Sequence, residues 1–416
     1  MTYIQLLKIM LTVRGGMGLS IMTIILMTIG ILLFISLVVV HELGHFLAAR
    51  RGGVDVEEFG IGFPPQAWKK HIQSPKGNYV FSLNWLPLGG FVRLKGEHDD
   101  ATESGSLGAA PLFTKVKIMV AGVGMNLLAA FILFTLVAWA GMPRLPEFAV
   151  ENQFTVASDE RLVAEARDMD VVLVGLVVED SPAAAAGLAA GDELVAIDGE
   201  RINDAARVSE LTRQRAGETV SLLIAPADEQ PQVEKSIILN EAEAAETEGY
   251  LGVIPVSGQQ GFTTVRYTWS APIVAAGTMA QFTQLTFVGL GSALGGLWQY
   301  IASFASGDEQ AREAGQMQAT QQVTGPVGIV ATLFAVSQEG FWLMLFIIAL
   351  ISLALAIMNI LPIPALDGGR LFVTLIFHAL RKPLHKNIEE RIHATGFMLL
   401  IGLFIVITIV DIRRFF

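Results

Sequence analysis

The residues most able to do chemistry are His41-Glu42-Leu43-Gly44-His45. Residues four apart lie on one face of an α-helix, so His41 and His45 can offer two imidazoles to a single metal ion. Glu42 lies beside that face, within reach of a water on the metal. The chain has 0 Cys, which excludes thiolate ligands and disulfides. Any further ligand must therefore be His, Asp or Glu.

Asp367 is the best candidate for a third ligand. A catalytic zinc ion usually has three protein ligands and one open position. Asp367 belongs to the stretch NILPIPALDGG at 359–369, which follows a long apolar run. Pro362 and Pro364 must interrupt a helix there, and a membrane tolerates such a break only where protein or a water-filled cavity receives it. The alternative is that Asp367 caps the helix that follows.

The composition shows what kind of protein carries these residues. The 416 residues are 52% hydrophobic and 16% charged, with a mean hydropathy of +0.54. These values favour a membrane protein over an ordinary soluble enzyme or a disordered chain. After an N-terminal tail at 1–20, four membrane-spanning regions are predicted: 21–50, 116–140, 326–380 and 394–411.

Basic residues predict the orientation of the chain. Lys and Arg are concentrated in the connections at 51–115 and 381–393, and such short basic connections are typically cytoplasmic. The N-terminus, the long insert after the second span and the C-terminus are then extracytoplasmic. A fifth span within 259–325 would reverse the 381–393 connection, so helices on the outer membrane surface are predicted there.

The two long connections have different characters. Residues 51–115 contain Gly, Pro and the turn sequence PKGN at 75–78, which predicts short strands against the cytoplasmic membrane face. A solvated loop is the alternative. The stretch 145–258 holds 23 acidic and 7 basic residues, and this acidity argues against nucleic-acid binding. Within it, GLAAGDELVAIDG at 187–199 strongly resembles a PDZ domain, predicted over 165–258.

The ordered motifs together resemble the site-2 protease family of intramembrane zinc metalloproteases. They are HELGH in the first span, the PDZ-like insert and NILPIPALDGG in a late span. Supporting stretches are EEFGIGF at 57–63, LPLGGFVRLKGE at 86–97 and TGPVGI at 324–329. The likeness covers about 22–411 and is nearest to the bacterial regulator-of-sigma-E protease branch, in a form with a single PDZ domain.

The resemblance implies a role for each matching residue. His41, His45 and Asp367 become ligands of Zn²⁺, and Glu42 becomes the general base. Asn359 and Asn126 become substrate-binding residues. The family usually reads Ala-Gly-Pro in the motif that ends at Asn126, whereas residues 121–126 read AGVGMN, so the local helix geometry can differ here.

The implied fold is a polytopic α-helical membrane protein with a membrane-associated β-rich loop and an inserted extracytoplasmic α+β PDZ domain. The implied function is cleavage of the transmembrane segments of single-span membrane proteins, such as anti-sigma factors or signal-peptide remnants. This regulated intramembrane proteolysis takes place in the lipid bilayer of the inner (cytoplasmic) membrane. The PDZ domain would either exclude untrimmed substrates or bind a newly exposed C-terminus.

Two other functions compete with this interpretation. The chain could be a non-catalytic PDZ scaffold with a structural metal site, although such a site has no need of Glu42 beside the metal. A metal transporter is the other alternative, weakened by a single ligand cluster within the spans. The remaining histidines are predicted to lie at surfaces or interfaces: His71, His98, His378, His385 and His393.

Overall fold

A computed structural model gives the fold. It describes residues 21–75, 77–98, 101–145, 152–164, 167–178, 181–189, 191–226, 231–241, 249–260, 263–306 and 325–415, together with positions 309, 312, 315 and 318. The chain divides into two compact units. The larger unit contains Ile25–Met142, Phe154–Glu160 and Arg266–Phe416, and the smaller one contains Pro143–Gln153 and Arg161–Val265, with Met1–Ile24 assigned to it.

The chain combines long apolar helices with strands of very different lengths. In chain order they are α1 (Ile21–Arg51), β1 (Val56–Ile72), β2 (Tyr79–Leu94), α2 (Leu112–Ala140), β3 (Met142–Pro143), β4 (Arg161–Ala164), β5 (Arg167–Val177), α3 (Pro182–Ala185), β6 (Glu193–Ile197), β7 (Glu200–Arg201), α4 (Ala205–Gln214), β8 (Thr219–Ala225), β9 (Val233–Ile238), β10 (Val253–Gln260), β11 (Thr264–Arg266), α5 (Ala271–Ser306), α6 (Pro326–Glu339), α7 (Phe341–Ile360), α8 (Asp367–Ala379) and α9 (Lys386–Phe415).

Four helices in the described part of the chain are long and apolar enough to cross a membrane. They are α1, α2, α7 and, over Ala271–Phe304, α5. The region 326–380, predicted as one span, comprises the three helices α6, α7 and α8. The span predicted at 394–411 lies inside α9.

The region 259–325, predicted to contain surface helices, holds the helix α5. It is one unbroken helix of 36 residues, because Pro272 sits in its first turn and no further proline occurs before Pro326. Phe282 of α5 meets Phe346 of α7 edge to face, with ring centroids 6.0 Å apart. Phe346 in turn meets Phe134 of α2 at 5.6 Å. This aromatic cluster joins α5 to two of the spanning-length helices.

Strands β1 and β2 form an antiparallel hairpin that bends back on itself. Residues 56–61 pair with 90–94 on one side and with 80–83 on the other. Beyond the bend, residues 66–72 pair with 79–84. Within the described residues, segment 90–94 has no strand on its other side, so its outer edge is open.

The smaller unit is built on an antiparallel sheet with the order β10-β5-β6-β8-β9, and β7 pairs with β6. Its core contains Val172, Leu194, Leu222 and Ile224, which are nearly inaccessible. Ser181 caps α3 by accepting the Ala184 amide, and Asp204 caps α4 by accepting the Arg207 amide. Asp198 and Gly199, between β6 and β7, both have positive φ and form a tight turn.

A buried carboxylate anchors the start of α5. Asp159 accepts hydrogen bonds from the backbone and hydroxyl of Thr268, at 2.7 and 2.6 Å. It accepts two more from the backbone and hydroxyl of Ser270, at 3.1 and 2.7 Å. Burial opposes ionisation, but these hydrogen bonds outweigh it and hold the pKa of Asp159 well below its ordinary value of 3.8.

Asp159→Asn should lower the melting temperature by a few degrees at pH 7, because an amide places a donor where four donors converge. Folding lowers this pKa, so Asp159 stabilises the protein above about pH 4 and does so progressively less as the pH falls further. Thermal unfolding in detergent at pH 7 and pH 3.5 measures both effects. Glu160→Gln is the matched control, and equal melting temperatures of Asp159→Asn and this control at pH 7 would contradict the anchor.

Candidate metal centre

Three side chains from distant parts of the sequence converge inside the larger unit. Asp367 Oδ2 lies 2.9 Å from His41 Nε2 and 3.0 Å from His45 Nε2. The two Nε2 atoms are 3.2 Å apart. These three are the group of potential ligands that lies close enough together to hold a metal ion among the described residues.

Helix α1 positions both histidines, as their spacing predicts. Their rings lie edge to face, with centroids 4.9 Å apart, so the two Nε2 atoms point to one place. His41 is 7% exposed, and Glu42 is half-buried beside it. The Glu42 side chain lies next to the open hairpin edge, because a Cβ on Gly90 of β2 would approach its Cγ to 3.5 Å.

Asp367 reaches the histidines from a break between two helices. Helix α7 ends at Ile360 and α8 begins at Asp367. The N-cap position of α8 is Leu366, without a side-chain hydrogen bond, so the carboxylate faces the histidines and does not cap its helix. A Cβ on Gly368 would collide with the carbonyls of Ile360 and Leu361. Because residue 368 is a glycine, α8 can begin in contact with the end of α7.

Helix α2 supports both histidines from behind. The Ile118 carbonyl lies 2.7 Å from His45 Nδ1, and the Asn126 side chain lies 3.3 Å from His41 Nδ1. Between them, a Cβ on Gly122 would collide with His45 Nε2 and the His41 ring. Positions 118, 122 and 126 are four apart and form one stripe of the helix. α2 is a continuous helix across AGVGMN, where the family's usual proline is missing.

The two predicted substrate-binding residues have different surroundings. Asn126 is 1% exposed and lies against His41. Asn359 is half-buried in the last turn of α7, and no hydrogen bond joins its side chain to another residue in the described part of the chain. Asn359 therefore has an amide available to a ligand, whereas Asn126 is enclosed.

The donor set fits zinc. Tetrahedral coordination with nitrogen and oxygen ligands at about 2.0 Å separates the ligand atoms by about 3.3 Å, close to the 2.9 to 3.2 Å observed. Two imidazoles and one carboxylate leave a fourth position open, which is typical of catalytic zinc.

The contacts that support these three residues have no signal in the sequence. The Ile118 carbonyl carries no residue-type signal, because any residue offers a backbone oxygen. His393, predicted to lie at a surface or interface, is half-buried, and its Nδ1 accepts the Ala365 amide at 3.2 Å. His98 lies within 3.8 Å of Glu389 and 3.6 Å of Glu390 of α9. Such pairings join residues far apart in sequence and leave no local pattern.

The fold and the site define a multi-pass membrane protein with a His-His-Asp group that could hold a metal ion. The family model of peptidase family M50 matches residues 29–403, and the chain belongs to this family, the site-2 proteases. It is therefore a zinc metalloprotease.

Curated relatives agree. A Clostridium perfringens protein named as a candidate zinc metalloprotease is 30% identical over 382 residues, covering 92% of this chain and 97% of the relative. The zinc metalloprotease RasP of Geobacillus kaustophilus is 28% identical over 453 residues, covering 93% and 97%. An Arabidopsis thaliana chloroplastic protein named as a candidate membrane metalloprotease is 29% identical over 387 residues, covering 89% and 77%.

Gly122→Ala should displace the histidines and lower zinc occupancy severalfold, because its methyl group meets both rings. Gly124→Ala is a matched control on the same helix, since its Cβ would meet nothing within 4 Å. Elemental analysis of purified proteins measures zinc per chain. Equal occupancy in the two variants would show that the close approach of α2 is dispensable.

Proposed function

We propose that this metalloprotease cleaves the transmembrane segments of single-span membrane proteins within the bilayer. The observation that carries the proposal is the location of the ligands, since His41 and His45 lie within a helix of spanning length and hydropathy. Ionisable side chains in such a helix are costly and usually functional. Regulated intramembrane proteolysis of anti-sigma factors or signal-peptide remnants is the biological setting we infer from the family.

Each residue has a role in the proposed reaction. His41, His45 and Asp367 hold Zn²⁺, which when bound supplies a Lewis acid and an acidified water. Glu42 removes a proton from the attacking water and delivers it to the leaving amine nitrogen as the peptide bond breaks. Its side chain lies next to the hairpin edge at Gly90.

The open edge of the hairpin is a suitable place for an extended substrate. A helical substrate hides its carbonyls in internal hydrogen bonds, so it must unwind before cleavage. Segment 90–94 has an unpaired edge and lies beside Glu42, since a Cβ on Gly90 would approach the Glu42 Cγ to 3.5 Å. A strand added along this edge passes the base. The free amide of Asn359 supports a further contact with substrate backbone.

The PDZ-like insert acts before the chemistry in this proposal. Its antiparallel sheet, short capped helix and GLAAGDELVAIDG turn support a PDZ assignment for 165–258. The basic connections 51–115 and 381–393 support an orientation with the N-terminus, insert and C-terminus extracytoplasmic, in the inner membrane. There the insert excludes substrates that retain bulky external domains.

Glu42→Gln should abolish cleavage of a model single-span substrate, by at least about 10²-fold, while keeping zinc. Glutamine has nearly the same shape but accepts no proton at neutral pH. The measurement is cleavage by purified protein in detergent, with mass spectrometry of the products and zinc analysis of both proteins. Cleavage only outside the spanning segment, or equal rates for the two proteins, would contradict the proposal.

Removal of the insert tests its role. Replacing residues 165–258 with a short Gly-Ser linker should permit cleavage of an untrimmed substrate and leave cleavage of a trimmed one nearly unchanged. Gel-based cleavage of both substrates by both proteins measures this. If the trimmed substrate is no longer cut while zinc is retained, the insert recruits substrates and the exclusion role is wrong.

A further inference from the structure

We infer that Asn126 is a positioning residue that hydrogen-bonds His41 Nδ1 in the zinc-binding tautomer and holds the ring in place, and that it does not contact substrate. The inference rests on the proposed zinc centre and concerns a side chain that never reaches the reacting atoms. Its starting point is the enclosed contact between Asn126 and His41 Nδ1, on the ring nitrogen opposite the metal.

The polar atoms of Asn126 are unequally satisfied. Its Nδ2 lies 3.3 Å from His41 Nδ1, while its Oδ1 is buried without a hydrogen-bond partner among the described residues. An amide nitrogen can only donate, so this arrangement requires a bare Nδ1 and places the ring proton on Nε2. In that tautomer His41 Nε2 donates to Asp367 Oδ2, at 2.9 Å.

Zinc requires the opposite tautomer. When Nε2 of a neutral imidazole binds a metal, the proton is on Nδ1 and must be given to an acceptor. A half-turn of the Asn126 amide exchanges Oδ1 and Nδ2, so Oδ1 accepts the Nδ1 proton. Each orientation makes one hydrogen bond to His41, and the proton position decides which orientation is adopted.

The surroundings hold Asn126 in place for this role. The buried Ser352 hydroxyl of α7 donates to the Asn126 carbonyl at 2.8 Å, so the backbone at this position is tied to a second helix. One stripe of α2 therefore contacts both histidines. The Ile118 carbonyl accepts a hydrogen bond from His45 Nδ1, at 2.7 Å, and the Asn126 side chain is hydrogen-bonded to His41. A fixed carbonyl serves one tautomer only, whereas an amide can serve both.

The test replaces the amide and measures the metal, which separates this inference from the proteolytic function. Asn126→Leu removes the acceptor at similar volume and should weaken zinc binding about 10- to 100-fold in a chelator competition. Asn126→Asp keeps an acceptor and should bind zinc within a few-fold of the unmodified protein. Thr135→Val is the control, because it removes a hydroxyl from α2 away from the centre.

Cobalt substitution supplies a second readout. The visible spectrum of the Co²⁺ protein should change in Asn126→Leu and be preserved in Asn126→Asp and Thr135→Val. Unchanged zinc affinity and spectrum in Asn126→Leu, with a raised KM for the model substrate, would overturn the inference and return Asn126 to substrate binding. If Asn126→Leu does not fold, weakened zinc binding in Asn126→Asp overturns it as well.

Discussion

The whole membrane unit depends on one constraint: ionisable side chains buried among apolar helices must all be paired. Burying a polar group without a partner costs several kcal/mol, and water is scarce where α1 lies. His41, His45 and Asp367 satisfy one another and converge on one point. The outer nitrogens of the two rings then need partners of their own, and α2 supplies both. The arrangement of three helices follows from this pairing.

Close helix contact makes the pairing possible, and small residues permit the contact. Gly44 of α1 lies directly on the Ala121 carbonyl of α2, and Gly122 of α2 lies directly on the two histidine rings. Small residues facing one another allow helix backbones to approach in membranes. Each helix has a glycine where the other helix presents a polar group: Gly44 faces the Ala121 carbonyl, and Gly122 faces the histidine rings. Gly44, inside the HELGH motif, therefore supports the metal centre because it has no side chain to keep α2 away.

The sequence predicted which three side chains converge better than it predicted the contacts around them. His41 and His45 follow from helix geometry, and Asp367 follows from the lack of cysteine and the scarcity of acids in apolar sequence. In contrast, the Ile118 carbonyl and the proximity of Gly90 to Glu42 depend on how separate elements pack. The prediction of surface helices over 259–325 rests on the basic 381–393 connection, and nothing in the local sequence predicts the contacts of α5. Packing against Phe346 and Phe134 stabilises it as one helix, and local sequence does not encode that partner.

The third ligand lies on the least regular part of the centre, and this segment is fixed by polar contacts from outside. Arg370, one turn after Asp367, donates to the Glu97 carbonyl at the end of the hairpin and pairs with buried Glu389 of α9 at 3.6 Å. His393 of α9 accepts the Ala365 amide, just before Asp367. The ligands are therefore held in two ways: the two histidines lie on one continuous helix, and the carboxylate lies on a helix break that is fixed by polar contacts. Helix α1 fixes the direction of the two histidines, while hydrogen bonds from the amides of Ile363, Ala365 and Leu366 fix the segment that carries Asp367. The zinc ligands are therefore held from both sides, by the rigidity of α1 and by the polar contacts of the segment before α8.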